Sequence, residues 1–291
     1  MISLPFEIVD VFTDRPFTGN PLAVVFDAES LGTDQMQALA REFNLSETVF
    51  VLPPTRPGAT YRARIFTPAQ EIPFAGHPSV GAAVTVFRRG GSGPEPMVDL
   101  GRMVQECGAG LLPITVYPEG VATLTGGPAT VGPEIDPAPL LATASLAPED
   151  LAGPASRVAG CGLEFAYLAV RPEAVGRAKI NPTTGVRMVS VFAWDAQSRV
   201  AHTRVFCPGV NVPEDPATGS AALGFGVWLA ASKLIGDGET SYTVRQGAEM
   251  HRPSVLECVV TVADGAVVRA TVTGQVVPVA RGEIAVPPFV G

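Results

Sequence analysis

The sequence predicts an α+β fold of two pseudo-symmetric domains, each a curved, mostly antiparallel sheet wrapped around a buried central helix. Three observations predict it. Short runs rich in β-branched and aromatic residues recur along the chain, separated by Gly- and Pro-rich turns. Two helical segments, SVGAAVTVFRR and TGSAALGFGVWLAASKL, are apolar all round, and a helix without a polar face must be enclosed by protein. The same two segments sit at matching places in an internal duplication.

In chain order, FEIVDVF and LAVVF read as the first strands. The intervening FTGNP, Phe17 to Pro21, is good turn chemistry, and that plain reading keeps Asn20 out of the candidate catalytic set. TDQMQALAREFN is an amphipathic helix with Thr33 as N-cap, a stripe of Met36, Leu39, Ala40 and Phe43, and Asn44 as left-handed stop. TVFVL and YRARIF continue the sheet. The first apolar helix closes on Arg88–Arg89 and the second on Lys233, both followed by glycine. Gly81, Gly224 and Gly226 each cost about 1 kcal/mol of helix propensity, tolerable where a sheet packs closely.

The duplication aligns RIFTPAQEIP from Arg64 with RVFCPGVNVP from Arg204, and HPSVGAA from His77 with DPATGSA from Asp215. The amphipathic helix and its following strand find a looser echo in APLLATASLAPEDL and LEFAYLAV. Such long spacing excludes a solenoid. It divides the chain into domains 1–126 and 127–291, with the boundary near Gly126–Pro128.

A chain of 291 residues with 46% hydrophobic and 16% charged residues is a packed globule rather than a disordered one. Its net charge of −8, with only 20 basic residues, excludes nucleic-acid binding and gives no attraction to an anionic membrane. Small molecules and protein partners remain. Cys107, Cys161, Cys207 and Cys258 are widely spaced without a C-x-x-C pair, so no zinc site is expected. The start has no signal-peptide pattern and no apolar run reaches membrane-span length, which places the chain in the cytoplasm.

If the domains face one another, both buried helices direct their N-termini into one cleft. Unpaired N–H groups there suit an anion such as a carboxylate. Ser79, Thr218 and Ser220 add hydroxyls. The plainer alternative, that these residues only cap buried helices, stays open. His77 and Asp215 occupy equivalent repeat positions with different chemistry, as an asymmetric proton-handling site requires. Against that stand a core histidine bonded to a carbonyl and an Asp-Pro turn. Glu47, in NLSETVFV, enters an apolar strand from a loop, where partial burial would favour a proton shuttle.

The motifs DVFTDRPFTGNPLAVV, NLSETVFV, RIFTPAQEIPFAGHPSVGAA and PEDPATGSAALGFGVWL, with the later RQGAEMHRPS, resemble signatures of the PhzF-like (phenazine-biosynthesis) isomerase family. They run in order over almost the whole chain. The resemblance implies a diaminopimelate-epimerase-like fold, a homodimer, and neither metal nor organic cofactor. It implies Glu47 as main general acid/base, a role such a glutamate plays in isomerising trans-2,3-dihydro-3-hydroxyanthranilate. It further implies that His77, Asp215 and Ser220 assist proton handling and positioning, and that Gly76 and Gly219 offer backbone around a substrate carboxylate. By the same analogy, residues after about Gly274 cross back to the first domain.

Three other functions compete. Two-thiol racemases of this fold need a cysteine from each domain, and neither GHPSVGAA nor DPATGSAA contains one. Epimerisation by Glu47 with another partner is still open. A metal site of His77, Asp215 and Glu47 would hold only one histidine and is disfavoured. A non-catalytic binder of small acids would not need glutamate, histidine and aspartate together. Phe289 and the two tryptophans read as packing residues.

Overall fold

The computed structural model describes residues 2–90, 101–210 and 212–288; Phe289 lies outside them. The chain forms two compact units, Met1–Leu124 with Thr273–Gly291, and Thr125–Val272. The sequence division at 126/127 lies two residues after the first crossing, and the described residues from Thr273 onward return to the first unit.

The first unit contains β1 (Ser3–Val11), β2 (Asn20–Val25), α1 (Thr33–Phe43), β3 (Glu47–Leu52), β4 (Tyr61–Phe66), β5 (Glu71–Ile72), α2 (Gly76–Arg88), β6 (Gly101–Cys107), β7 (Gly110–Tyr117) and β8 (Val121–Thr125). Its strand pairs are antiparallel except where a helix makes the crossover: β2 runs parallel to β3 after α1, and β4 parallel to β6 after α2. The sheet surrounds α2, which packs against β1, β2, β3, β4, β6 and β7 and is buried from Gly76 to Val86.

The second unit contains β9 (Ala129–Glu134), α3 (Ala138–Ala144), β10 (Arg157–Cys161), β11 (Glu164–Ala169), α4 (Pro172–Val175), β12 (Val189–Asp195), β13 (Val200–Cys207), β14 (Val212–Asp215), α5 (Gly219–Ala231), β15 (Gly238–Gln246) and β16 (Ser254–Ala263). Again the parallel pairs, β11 with β12 and β13 with β15, are those with an intervening helix. The buried α5 packs against β9, β10, β11 and β16. The long β17 (Ala266–Ala285) begins in the second unit and ends in the first, where it pairs antiparallel with β1 from Val11↔Val276 to Ser3↔Ala285.

The internal order of the units matches strand for strand from β1 and β10 onward, and this corrects one alignment. The counterpart of α1 is the four-residue α4, not the APLLATASLAPEDL segment, which forms α3 ahead of β10. Four residues cannot display a 3.6-residue stripe, so periodicity missed the true match. LEFAYLAV is β11, equivalent to β2. The Arg64 and Arg204 positions keep their equivalence down to the side chain. Arg64 forks onto Glu71 at 2.8 and 2.6 Å, and Arg204 onto Glu214 at 2.8 and 2.7 Å. Each guanidinium also lies 5.2 Å from the ring of the phenylalanine two residues later. In both units this fork ties the strand leading to the buried helix onto its neighbour.

Helix boundaries differ slightly from expectation. Thr33 is the first residue of α1 rather than its cap; Gly32 takes the cap position, and its N–H donates to Gln35 Oε1 at 3.0 Å. The Thr33 hydroxyl instead accepts from Arg64 Nη2 at 2.9 Å. Asn44 stops the helix in the left-handed region, φ 51°. Helix α2 starts at Gly76, three residues before Ser79, which puts Pro78 in the first turn, where its missing N–H breaks no helical bond. Trp194 and Trp228 pack with Phe225 and Phe192 around α5, with Phe225 and Trp228 stacked at 5.9 Å.

Candidate active site

In the first unit, the β2–β3 register sets Leu22 opposite Glu47, the first residue of β3. Thr48 opposite Phe66 corresponds to Val189 opposite Phe206, so the residue equivalent to Glu47 is Met188 and the carboxylate belongs to one half of the duplication only. Glu47 is 13% exposed, and its Oε2 lies 3.6 Å from Nε2 of His77, the second residue of α2. Burial lowers the His77 pKa to about 3, outweighing a hydrogen bond to the Pro21 backbone that acts in the opposite sense. The ring is therefore neutral near pH 7. Its approach to Glu47 is an imidazole–carboxylate contact rather than an ion pair. On the other side of the ring, Asn20 Nδ2 lies 3.1 Å from Nδ1.

Ser79 has a different environment from the one its motif suggested. Its hydroxyl donates to the Ala75 carbonyl at 2.8 Å and accepts from Gln105 Nε2 at 2.9 Å, while Tyr61 donates to Gln105 Oε1. With its one hydrogen committed, Ser79 braces the start of α2 and is not placed as a donor to a ligand. The first-turn N–H groups that α2 offers are those of Gly76 and His77, since Pro78 has none.

In the second unit, Asp215 ends β14 and is 8% exposed. Its Oδ2 accepts the Thr218 hydroxyl at 2.6 Å. Gln246 of β15 completes the turn: Nε2 donates to the Asp215 carbonyl at 2.6 Å and to Thr218 Oγ1 at 3.0 Å, and Oε1 accepts from the Thr218 N–H at 3.2 Å. Thr218 is thus the N-cap residue of α5 with its hydroxyl hydrogen spent on Asp215, so it too is no hydroxyl donor to a ligand. Gly219 and Ser220 are the first helical residues, both buried. Gly247, at φ 78°, allows the chain after Gln246 to pass against Pro216; a Cβ there would lie 2.5 Å from the Pro216 carbonyl.

The sequence reading missed Asn20, Gln105 and Gln246. Asn20 was visible as part of FTGNP and Gln246 as part of RQGAEMHRPS. Gln105 carries no local signal. All four cysteines are buried and none is in a disulfide; burial pushes Cys161 up to about 11 and Cys258 further up. Cys161 and Cys258 are therefore unsuited to act as thiolate bases.

The architecture is that of an epimerase-like fold. The model of the phenazine biosynthesis-like protein family (PhzC-PhzF) matches residues 9–282. An uncharacterised isomerase of Mesorhizobium japonicum is 36% identical, over 96% of this chain and 98% of its own. The trans-2,3-dihydro-3-hydroxyanthranilate isomerase of Pseudomonas aeruginosa is 35% identical, over 86% of this chain and 87% of its own. Among solved structures, the PhzF-family phenazine biosynthesis protein of Bacillus anthracis superposes with a TM-score of 0.85 at 25% identity, covering 98% of this chain and 100% of its own. The chain belongs to the phenazine biosynthesis-like family, as one of its isomerases.

Proposed function

We propose that the protein moves a proton on a small carboxylate-bearing substrate without a cofactor, with Glu47 as general base and then general acid. The supporting observation is Glu47 Oε2 set 3.6 Å from the Nε2 of a buried, neutral imidazole. An uncharged ring lies beside the carboxylate without bringing a positive charge to it. Glu47 takes the proton from a carbon next to unsaturation, and the electron pair left behind shifts the double bond. The Glu47 carboxylic acid then returns the proton to the carbon at the far end. No atom or electron is gained or lost.

The substrate carboxylate is assigned to the backbone N–H groups of Gly76, Gly219 and Ser220, with the Ser220 hydroxyl as a further donor. That both helix starts serve one substrate is inferred from the sequence duplication. Asp215, oriented by Thr218, is the second titratable group of the reaction. The substrate in the name of the Pseudomonas aeruginosa relative, trans-2,3-dihydro-3-hydroxyanthranilate, is the first candidate to test.

The test is proton NMR of turnover in deuterated water, following label at the donor and acceptor carbons for this and related small unsaturated acids. Isomerisation with partial retention of the original proton is the expected result, because one shielded carboxyl serves both carbons. Binding of such acids without turnover of any would leave a small-acid-binding protein. Full activity in folded Glu47→Gln protein would overturn the assignment.

A further inference from the structure

We propose that Asn20 is a positioning residue that fixes the tautomer of His77, so that the imidazole presents an Nε2–H to Glu47. The inference rests on the reading of Glu47 as the acid/base and adds the group that prepares its neighbour.

Asn20 opens β2 and is fully buried, opposite Val11 in the β1–β2 ladder. The left-handed positions of the turn before it are Phe17, φ 67°, and Gly19, φ 69°, where a Cβ would meet the Val11 carbonyl and the Thr13 side chain; Asn20 itself is not left-handed. A buried amide is costly unless bonded, and Asn20 Nδ2 lies 3.1 Å from His77 Nδ1. An amide NH2 only donates, so Nδ1 must accept. A neutral imidazole carries one N–H, which then falls on Nε2. Nε2 is the atom 3.6 Å from Glu47 Oε2, and an ionised carboxylate only accepts. At 3.6 Å this is a contact rather than a hydrogen bond, so the amide of Asn20 sets the tautomer and the carboxylate's charge agrees with it.

One group opposes it. The Pro21 carbonyl is a hydrogen-bond acceptor for the ring and favours a proton on the nitrogen facing it. Asn20 donating to Nδ1 acts against that carbonyl, and the carboxylate 3.6 Å from Nε2 favours a proton there by charge alone. The consequence is directional. With the tautomer set, the imidazole steadies the Glu47 carboxylate through its N–H while the carboxylate waits for substrate, and the ring takes up no proton itself.

The experiment is nitrogen NMR of the full chain labelled at its three histidines, His77, His202 and His251, from about pH 5 to 8, the range in which ordinary histidines titrate. The His77 signals are assigned by their loss in His77→Gln. The expected result is an unprotonated Nδ1 and a protonated Nε2 that do not titrate over this range. In Asn20→Asp, a carboxylate replaces the donor and the proton moves to Nδ1 or the ring becomes doubly protonated. A wild-type ring with its proton on Nδ1, governed by Pro21, would overturn the proposal, as would an unchanged tautomer in folded Asn20→Asp. The wild-type spectrum decides even where the variant fails to fold. Because the readout is a tautomer rather than turnover, its failure is distinct from a failure of Glu47→Gln to lose activity.

Discussion

Two side chains at the candidate site are withdrawn from most of the solvent by where the backbone puts them. Glu47 is held at the start of a strand, where only 13% of it meets solvent, and its partner is a histidine that burial keeps neutral. General acid–base catalysis is worth about 10²–10⁴-fold, so Glu47→Gln is expected to lower kcat by that range while preserving substrate binding, measured by steady-state kinetics and calorimetry. His77 also makes an acid-stability prediction. Its folded pKa is about 3 against about 6.5 for an unfolded chain. Above about pH 6.5 neither state binds the proton and the residue contributes no pH dependence. Below that the unfolded chain takes up a proton and the folded one does not, so stability falls by about 1.4 kcal/mol per pH unit down to about pH 3. Denaturant melts of His77→Gln should show a shallower loss across that window than the parent protein. Equal slopes would mean that the ring titrates normally.

The buried helices show why glycine occurs in the middle of elements that it disfavours. Tyr167 reaches from β11 to donate to the Ala221 carbonyl at 2.7 Å, and Tyr242 from β15 to the Ala222 carbonyl at 2.8 Å. The two tyrosines lie where Cβ atoms on Gly224 and Gly226 would stand; at Gly226 the Tyr242 hydroxyl would be 2.6 Å away. In a solvated helix Gly→Ala gains about 1 kcal/mol. Here overpacking costs about 1–3 kcal/mol and displaces a buried hydroxyl. Gly226→Ala is therefore expected to lower the urea midpoint, and a raised midpoint would show that the strand yields at little cost.

For the whole molecule, the long β17 makes the first unit depend on the last residues of the chain. From Thr273 onward the chain belongs to the first unit and supplies the antiparallel partner of β1. Val9 and Val11, both fully buried, lie on that ladder. A chain ended at Val272 is expected to lose hydrogen-exchange protection throughout β1 and β2 while keeping it in α5 and β15, read by exchange with mass spectrometry. Undiminished protection of β1 would show that β2 alone secures it. No helix among the described residues is long and apolar enough to cross a membrane.

Local chemistry determined much of this protein. The strands announced themselves by β-branched and aromatic runs, and the all-apolar composition of α2 and α5 required that both be enclosed. The repeated Arg-x-Phe-x-Pro was legible because the guanidinium fork and its phenylalanine recur together. Glu47, His77 and Asp215 stood out by residue type at marked positions in a duplicated pattern. Tertiary structure decided what depends on partners distant in sequence. Gln105 and Gln246 reach back across a parallel crossover to claim the hydroxyls of Ser79 and Thr218, which the motif alone presented as ligand donors. Asn20 looked like turn chemistry because a turn and a buried amide use the same residue, and only a ring 57 positions away tells them apart. The match of α1 with α4 was equally hidden, since a single helical turn has no period to read. Short-range propensity is written in adjacent residues, whereas the partner of a buried polar group is set by the fold that closes around it.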